Sequence, residues 1–170
     1  KYVYPKHKSA NGKKDFWARG DGWVLAGLAK VLQDMPKDYK HNQFFVDKFQ
    51  KLAKAVAEIQ QPEGYWTRSM MNPEHAPGPE TSGTAFFTYG MLWGVNNGYL
   101  NKKEYKKVID RAWTYLTETA VQADGKVGYV QPIGERAIPG QIVDANSQAN
   151  FGVGAMLLTA CEYDKYLAIK

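Results

Sequence analysis

Residues 16–36, FWARGDGWVLAGLAKVLQDMP, decide the architecture. Trp23, Leu25, Leu28, Val31 and Leu32 recur at helical spacings, so the stretch predicts a helix over 16–32, with Asp34 and Pro36 marking its exit. A polar, glycine-containing start leads there into an apolar run rich in Gly and Ala. The same polar-to-apolar design returns at 82–96, where the start is TSGT (81–84), and at 146–163, where it is NSQAN (146–150). Aligning Gly27, Gly90 and Gly154 gives spacings of 63 and 64, and it stacks Trp23, Phe86 and Asn150, then Val24, Phe87 and Phe151. Small residues let helices approach closely, so these three segments read as inner helices. The third carries apolar residues nearly all round, which predicts burial on most faces and places Cys161 in the core.

Between them lie two amphipathic segments. Over 42–60, Phe45, Phe49, Leu52, Val56 and Ile59 repeat at three and four while Lys48, Lys51 and Lys54 fall largely opposite. The other runs from 103 to about 121, with Asn101 as its expected N-cap, and Asn97-Gly98 forms a C-cap pattern for the helix before it. An inner helix paired with an outer one about every 60 residues describes a toroid or solenoid of hairpins, because one hairpin cannot bury its own apolar face. Two and a half such units make about half of a six-hairpin ring. The long connections, 61–81 and 124–145, both precede inner helices, so one end of the bundle carries the elaboration, and loops of that length are usually functional.

Composition narrows the function classes. The 170 residues carry 44% hydrophobic and 23% charged residues with a net charge of +5, which excludes a disordered, collagen-like or acidic chain. No apolar run has membrane-spanning length, and residues 1–14 are too polar for a signal peptide. The opening KYVYPKHKSANGKKD, without an initiator Met, reads like the interior of a longer protein, so no compartment is assigned. A single cysteine supports neither a disulfide nor a Cys-based metal site. The histidines at 7, 41 and 75 lack ligand spacing, so no metal and no cofactor are expected. There is no phosphate loop, nucleophile elbow or dinucleotide fingerprint. Lys102, Lys103, Lys106 and Lys107 read as a solvated helix face rather than a nucleic-acid surface.

The densest chemical constellation is WARGDGW, residues 17–23. Arg19 can fork onto a carboxylate, the helix start adds partial positive charge, and Trp17 and Trp23 can wall a sugar ring. The same residues also fit a purely structural part, with both Trp in the core and Arg19 in a salt bridge. Asp21 beside Arg19 reads as its ion-pair partner or as a cavity-lining residue. Glu80 and Ser82 face either the cavity or the helix start, where Thr81 or Ser82 would serve as cap. Asn146, within residues 144–147, poses the same choice, and Glu135 with Arg136 reads equally as a loop-ordering pair.

Three blocks, FWARGDGWVLAGLAKVLQDMP, ETSGTAFFTYGMLWGVNNGYL and VGYVQPIGERAIPGQIVDANSQANFGVGAMLLTACE, span nearly the whole chain. In content and order they resemble the C-terminal half of glycoside hydrolase family 105, the unsaturated rhamnogalacturonyl and glucuronyl hydrolases, with family 88 as a close relative. The resemblance implies an all-α (α/α)6 toroid, of which residues 1–170 supply about half as part of one catalytic domain. It implies removal of the unsaturated uronic acid that a polysaccharide lyase leaves at the non-reducing end of an acidic oligosaccharide of the pectin or rhamnogalacturonan type. An Asp would protonate the C4=C5 double bond, and water would add at C5. That Asp is expected upstream, so no catalytic residue is assigned within this chain and the isolated segment is expected to be inactive. Arg19, Trp23 and Trp17 match positions lining the uronate pocket; Asp21 is not promoted to catalyst. The partners expected are the oligosaccharide and the missing N-terminal half, with self-association in its absence. A non-catalytic helical module that binds carbohydrate or peptide is the alternative.

Overall fold

A computed structural model describes residues 8–134 and 136–169. His7 and Glu135 lie outside the described residues, as do the other residues before Lys8. The described chain forms five α-helices: α1 Ala18–Asp34, α2 Asn42–Ala57, α3 Thr81–Asn96, α4 Lys102–Tyr115 and α5 Asn150–Ala168. A π-helical turn, Leu116–Ala120, extends α4, and pairing outside the helices is limited, among the described residues, to isolated β-bridges. No described helix is long and apolar enough to cross a membrane.

The two hairpins follow the predicted plan. Val46, Phe49, Ala53 and Val56 of α2 face inward, as do Tyr105, Ile109, Ala112 and Tyr115 of α4. Asn101 caps α4 by accepting from the Lys103 N–H at 2.9 Å. Beyond α3, Gly98 adopts φ +77°, the left-handed conformation that ends a helix, and the N–H groups of Tyr99 and Leu100 return to the Gly94 carbonyl.

Helix α3 lies between α1 and α5 and is the axis of the core. Every residue from Thr81 to Val95 is buried. Its threonine hydroxyls are therefore satisfied internally: Thr84 Oγ1 accepts the Trp66 N–H at 3.1 Å, Thr88 donates to the Thr84 carbonyl, and Thr81 pairs with the Tyr115 hydroxyl at 2.7 Å. Trp66, from the first long loop, is fully buried against Phe87 and donates its indole N–H to the Val56 carbonyl. That one side chain ties the loop to both hairpins.

Where α1 meets α3 the backbones nearly touch. A Cβ on Gly83 would lie 2.8 Å from the Ala18 carbonyl carbon and 2.9 Å from the Arg19 nitrogen, and one on Gly22 would lie 3.1 Å from Phe86 Cβ. Only glycine allows that approach, which answers why two helix starts accept a residue of low helix propensity.

Helix α5 departs from the expectation of burial on most faces. Only Gly152, Ala155, Thr159, Glu162 and Tyr166 are buried, whereas Val153, Leu157 and Leu167 are 40%, 61% and 66% exposed. Cys161 is exposed rather than in the core. The apolar residues encircle the helix, but α3 covers one side of it. On α1, Val24 and Val31 are similarly exposed, so both flanks of the helical array present apolar surface.

Candidate functional site

Both long loops converge on the starts of α1 and α3. The Ala18 N–H, at the start of α1, donates to the Arg68 carbonyl, and the Met70 N–H donates to Phe16 O. The Thr81 N–H, at the start of α3, donates to Tyr129 O, whose own residue stands at φ +57°, a conformation rare for a non-glycine side chain.

Arg19 is 3% exposed, and its guanidinium lies between the rings of Trp17 and Phe151, 4.7 Å and 4.5 Å from their centroids. Its fork closes on backbone: Nη1 donates to Gln131 O and Nη2 to Pro132 O at 2.9 Å. The charge partner is Glu80, 3.9 Å away, not the adjacent Asp21. Burial pulls the Arg19 guanidinium below the ordinary arginine range, and the charge of Glu80 works against that pull. Arg68, also buried, repeats the pattern. Its Nη1 donates to Gln141 O at 2.7 Å and its Nη2 to Pro77 O at 2.6 Å. Two buried arginines thus pin the ends of the 131–141 loop by its carbonyl oxygens.

Glu80 is fully buried and forms the N-cap of α3, a task that sequence reasoning gave to Thr81 or Ser82. Its carboxylate accepts from Gly83 N at 2.6 Å, Ser82 Oγ at 2.7 Å and, across the chain, Gln131 N at 3.2 Å. Thr81 is instead turned to Tyr115. Gln131 was not anticipated. It is fully buried and uses both ends of its amide: Oε1 accepts the Trp17 indole N–H at 2.8 Å, and Nε2 donates to Gln141 Oε1 and the Arg136 carbonyl. No local signal marks it, because the partners that tie it to the helix starts, Glu80 and Trp17, lie 51 and 114 positions away.

Trp23 stands apart from this network. It is 53% exposed and rests on Phe86 with ring centroids 4.3 Å apart, an open aromatic face on a fixed backing. Asp21, on the same helix start, is half-buried with no side-chain hydrogen bond among the described residues, and burial pushes its carboxyl up to about 6. The open aromatic face suits the C–H side of a sugar ring. Ser82 is enclosed under Glu80. Asn146 is exposed, its N–H donating to Asp144 Oδ1 in a loop turn, and the structure does not bring it to this group. Arg136 is exposed. His41 is exposed and His75 lies 4.0 Å from Asp15; no three potential metal-ligating side chains cluster among the described residues. The lysine row on α4 is partly engaged, Lys102 with the carbonyl of Ile169 and Lys106 with Asp110.

Comparison with known proteins places this geometry in context. The model of Glycosyl Hydrolase Family 88 matches residues 1–167. An "Unsaturated 3S-rhamnoglycuronyl hydrolase" from Formosa agariphila is 43% identical over 155 residues, 91% of this chain and 40% of its own length. Among solved structures, a family 88 glycosyl hydrolase from Bacteroides vulgatus is 61% identical with a TM-score of 0.92, over 97% of this chain and 47% of that one. A chain described as a polysaccharide lyase is 69% identical with a TM-score of 0.93, over 99% and 48%. A family 105 structure from C. acetobutylicum, 24% identical over 95% of this chain and 49% of that one, shares the fold with a TM-score of 0.73. The chain spans less than half the length of each of these relatives.

Proposed function

This chain belongs to glycosyl hydrolase family 88, and from that premise we propose that it forms the saccharide-receiving side of an enzyme that removes an unsaturated uronic acid from lyase-generated acidic oligosaccharides. The observation that carries the reading is Trp23, an exposed tryptophan backed by the tilted ring of Phe86 one turn from the buried Arg19 cluster. In a water-exposed setting such a ring serves best as a platform for a sugar face. Trp17, packed on Arg19, forms a second wall. Arg19 acts by shaping that wall and the 131–141 loop, since its Nη atoms already hold carbonyl oxygens. The name of the Formosa agariphila relative supports a uronyl-rhamnose type of substrate.

The chemistry this reading requires is protonation of the C4=C5 double bond, addition of water at C5, and collapse of the resulting hemiketal with release of the remaining saccharide. A carboxylic acid outside residues 1–170 supplies the proton. The remainder of the toroid covers the exposed flanks of α1 and α5, and residues 1–170 belong to one domain with it.

The test follows the ultraviolet absorbance of the double bond in an unsaturated uronyl-rhamnose disaccharide, with the full-length protein carrying this chain. Absorbance is expected to fall, and Trp23→Ala is expected to raise KM roughly tenfold, the weight of one stacked aromatic contact. The 69%-identical chain described as a polysaccharide lyase motivates a second reading, because a lyase creates the double bond. Rising absorbance on the intact polysaccharide would establish that reading instead. Saccharide binding with no change in absorbance would leave a non-catalytic binding module.

A further inference from the structure

We propose that Glu80 is a positioning residue: through Arg19 and Gln131 it fixes the Trp17 wall and the entry of the 131–141 loop for the incoming saccharide. The inference deepens the reading above and rests on it for the identity of the saccharide.

A helix cap alone does not explain this side chain. Serine, threonine or asparagine satisfies the free N–H groups of a helix start without bringing a charge into the interior, and such residues are preferred there. Glu80 instead buries a whole carboxylate at 0% exposure. A buried charge is tolerated when it is paired and hydrogen-bonded. The local bonds to Ser82 and Gly83 do not supply a counter-charge; Arg19, 3.9 Å away on α1, does. The remaining acceptor capacity goes to the N–H of Gln131 at 3.2 Å.

The residue Glu80 grips on one side is gripped by Arg19 on the other, for the Gln131 carbonyl accepts from Arg19 Nη1. With its N–H and C=O held, Gln131 has its backbone fixed, and its amide oxygen then meets the Trp17 indole N–H at 2.8 Å. Trp17 is in turn one of the two rings that enclose Arg19. The four residues close a cycle joining α1, the cap of α3 and the distant loop, and Glu80 is its single anion. Removing the charge while keeping the shape leaves Arg19 buried beside a neutral amide, which loosens the cycle at its ionic link.

The experiment uses the full-length protein with its tryptophans labelled with 15N, the Trp17 indole resonance being assigned by its loss in Trp17→Phe. Glu80→Gln is expected to speed hydrogen exchange at the Trp17 indole N–H, and to raise KM for the unsaturated uronyl-rhamnose disaccharide roughly tenfold with a smaller effect on kcat, as loss of one hydrogen bond to a charged group implies. Glu80→Asp, which keeps the charge, is expected to restore part of both. Thr159→Val, which removes a buried hydrogen bond to Ala85 O on the far side of α3, is the control for stability alone. It is expected to lower Tm and leave both readouts in place. Unchanged Trp17 exchange in folded Glu80→Gln, or equal exchange in Glu80→Gln and Thr159→Val at matched stability, overturns the proposal. Failure of the wild type to consume the disaccharide would defeat the substrate reading alone, because the indole exchange is measured without substrate.

Discussion

Trp17 donates its indole N–H to Oε1 of Gln131, 114 residues later in the chain, at 2.8 Å. The bond joins the start of α1 to a loop that carries no regular secondary structure. Gln131 in turn has no other way to orient its amide, because Nε2 is engaged by Gln141 and the Arg136 carbonyl. Replacing it with Ala leaves the indole N–H of Trp17 without its acceptor. Gln131→Ala is expected to cost about 2 kcal/mol, the penalty of leaving buried polar groups unpaired, measurable as a shift in the urea midpoint at constant slope.

Asp21 gives a pH signature with a definite sign. Burial pushes its carboxyl from 3.8 up to about 6, so within that window the folded state holds a proton the unfolded state has released. Stability from this group is therefore full below the lower value and is lost as pH rises through the upper one. Asp21→Asn removes the dependence. The Tm of the variant is expected to gain on that of the wild type as pH rises through the window and to run parallel above it; curves parallel throughout would show Asp21 fully solvated.

The crossing of α1 and α3 has no room for a methyl group at Gly83, whose added Cβ would meet backbone atoms of Ala18 and Arg19. Backbone cannot swing aside as a side-chain tip can. Gly83→Ala is expected to destabilise by about 1–3 kcal/mol through overpacking, and to disturb Arg19 with it. Thermal unfolding gives the first effect, and the Trp17 indole resonance reports the second.

Exposed Val31 on α1 and Leu157 on α5 bear on assembly. Contiguous apolar surface on a helical array favours association when the neighbouring repeat is absent. The 170-residue chain expressed alone is expected to self-associate, and Val31→Lys with Leu157→Lys is expected to reduce its mass in light scattering. A monodisperse wild-type monomer with cooperative unfolding would contradict this.

Local patterning along the chain specifies the elements and their order. Period and glycine placement are local properties, so the inner helices, the two amphipathic partners, the Asn101 cap and the end of α3 at Gly98 could all be read from neighbouring residues. The motif over residues 17–23 carries part of the resemblance that led to families 88 and 105, of which the matching model is 88. What the polar residues there do is set by long-range contacts. Arg19 closes on Gln131 and Pro132, Glu80 caps α3 in place of Thr81, and Trp23 remains open where Trp17 is pinned. Tertiary packing likewise leaves α5 with one buried face and Cys161 exposed, although its composition suited burial all round. The physical reason is the same in each case. Helix formation depends on residues three or four positions apart, whereas a hydrogen-bond partner or a covering surface is chosen by whatever the fold brings near, at separations that no periodicity records.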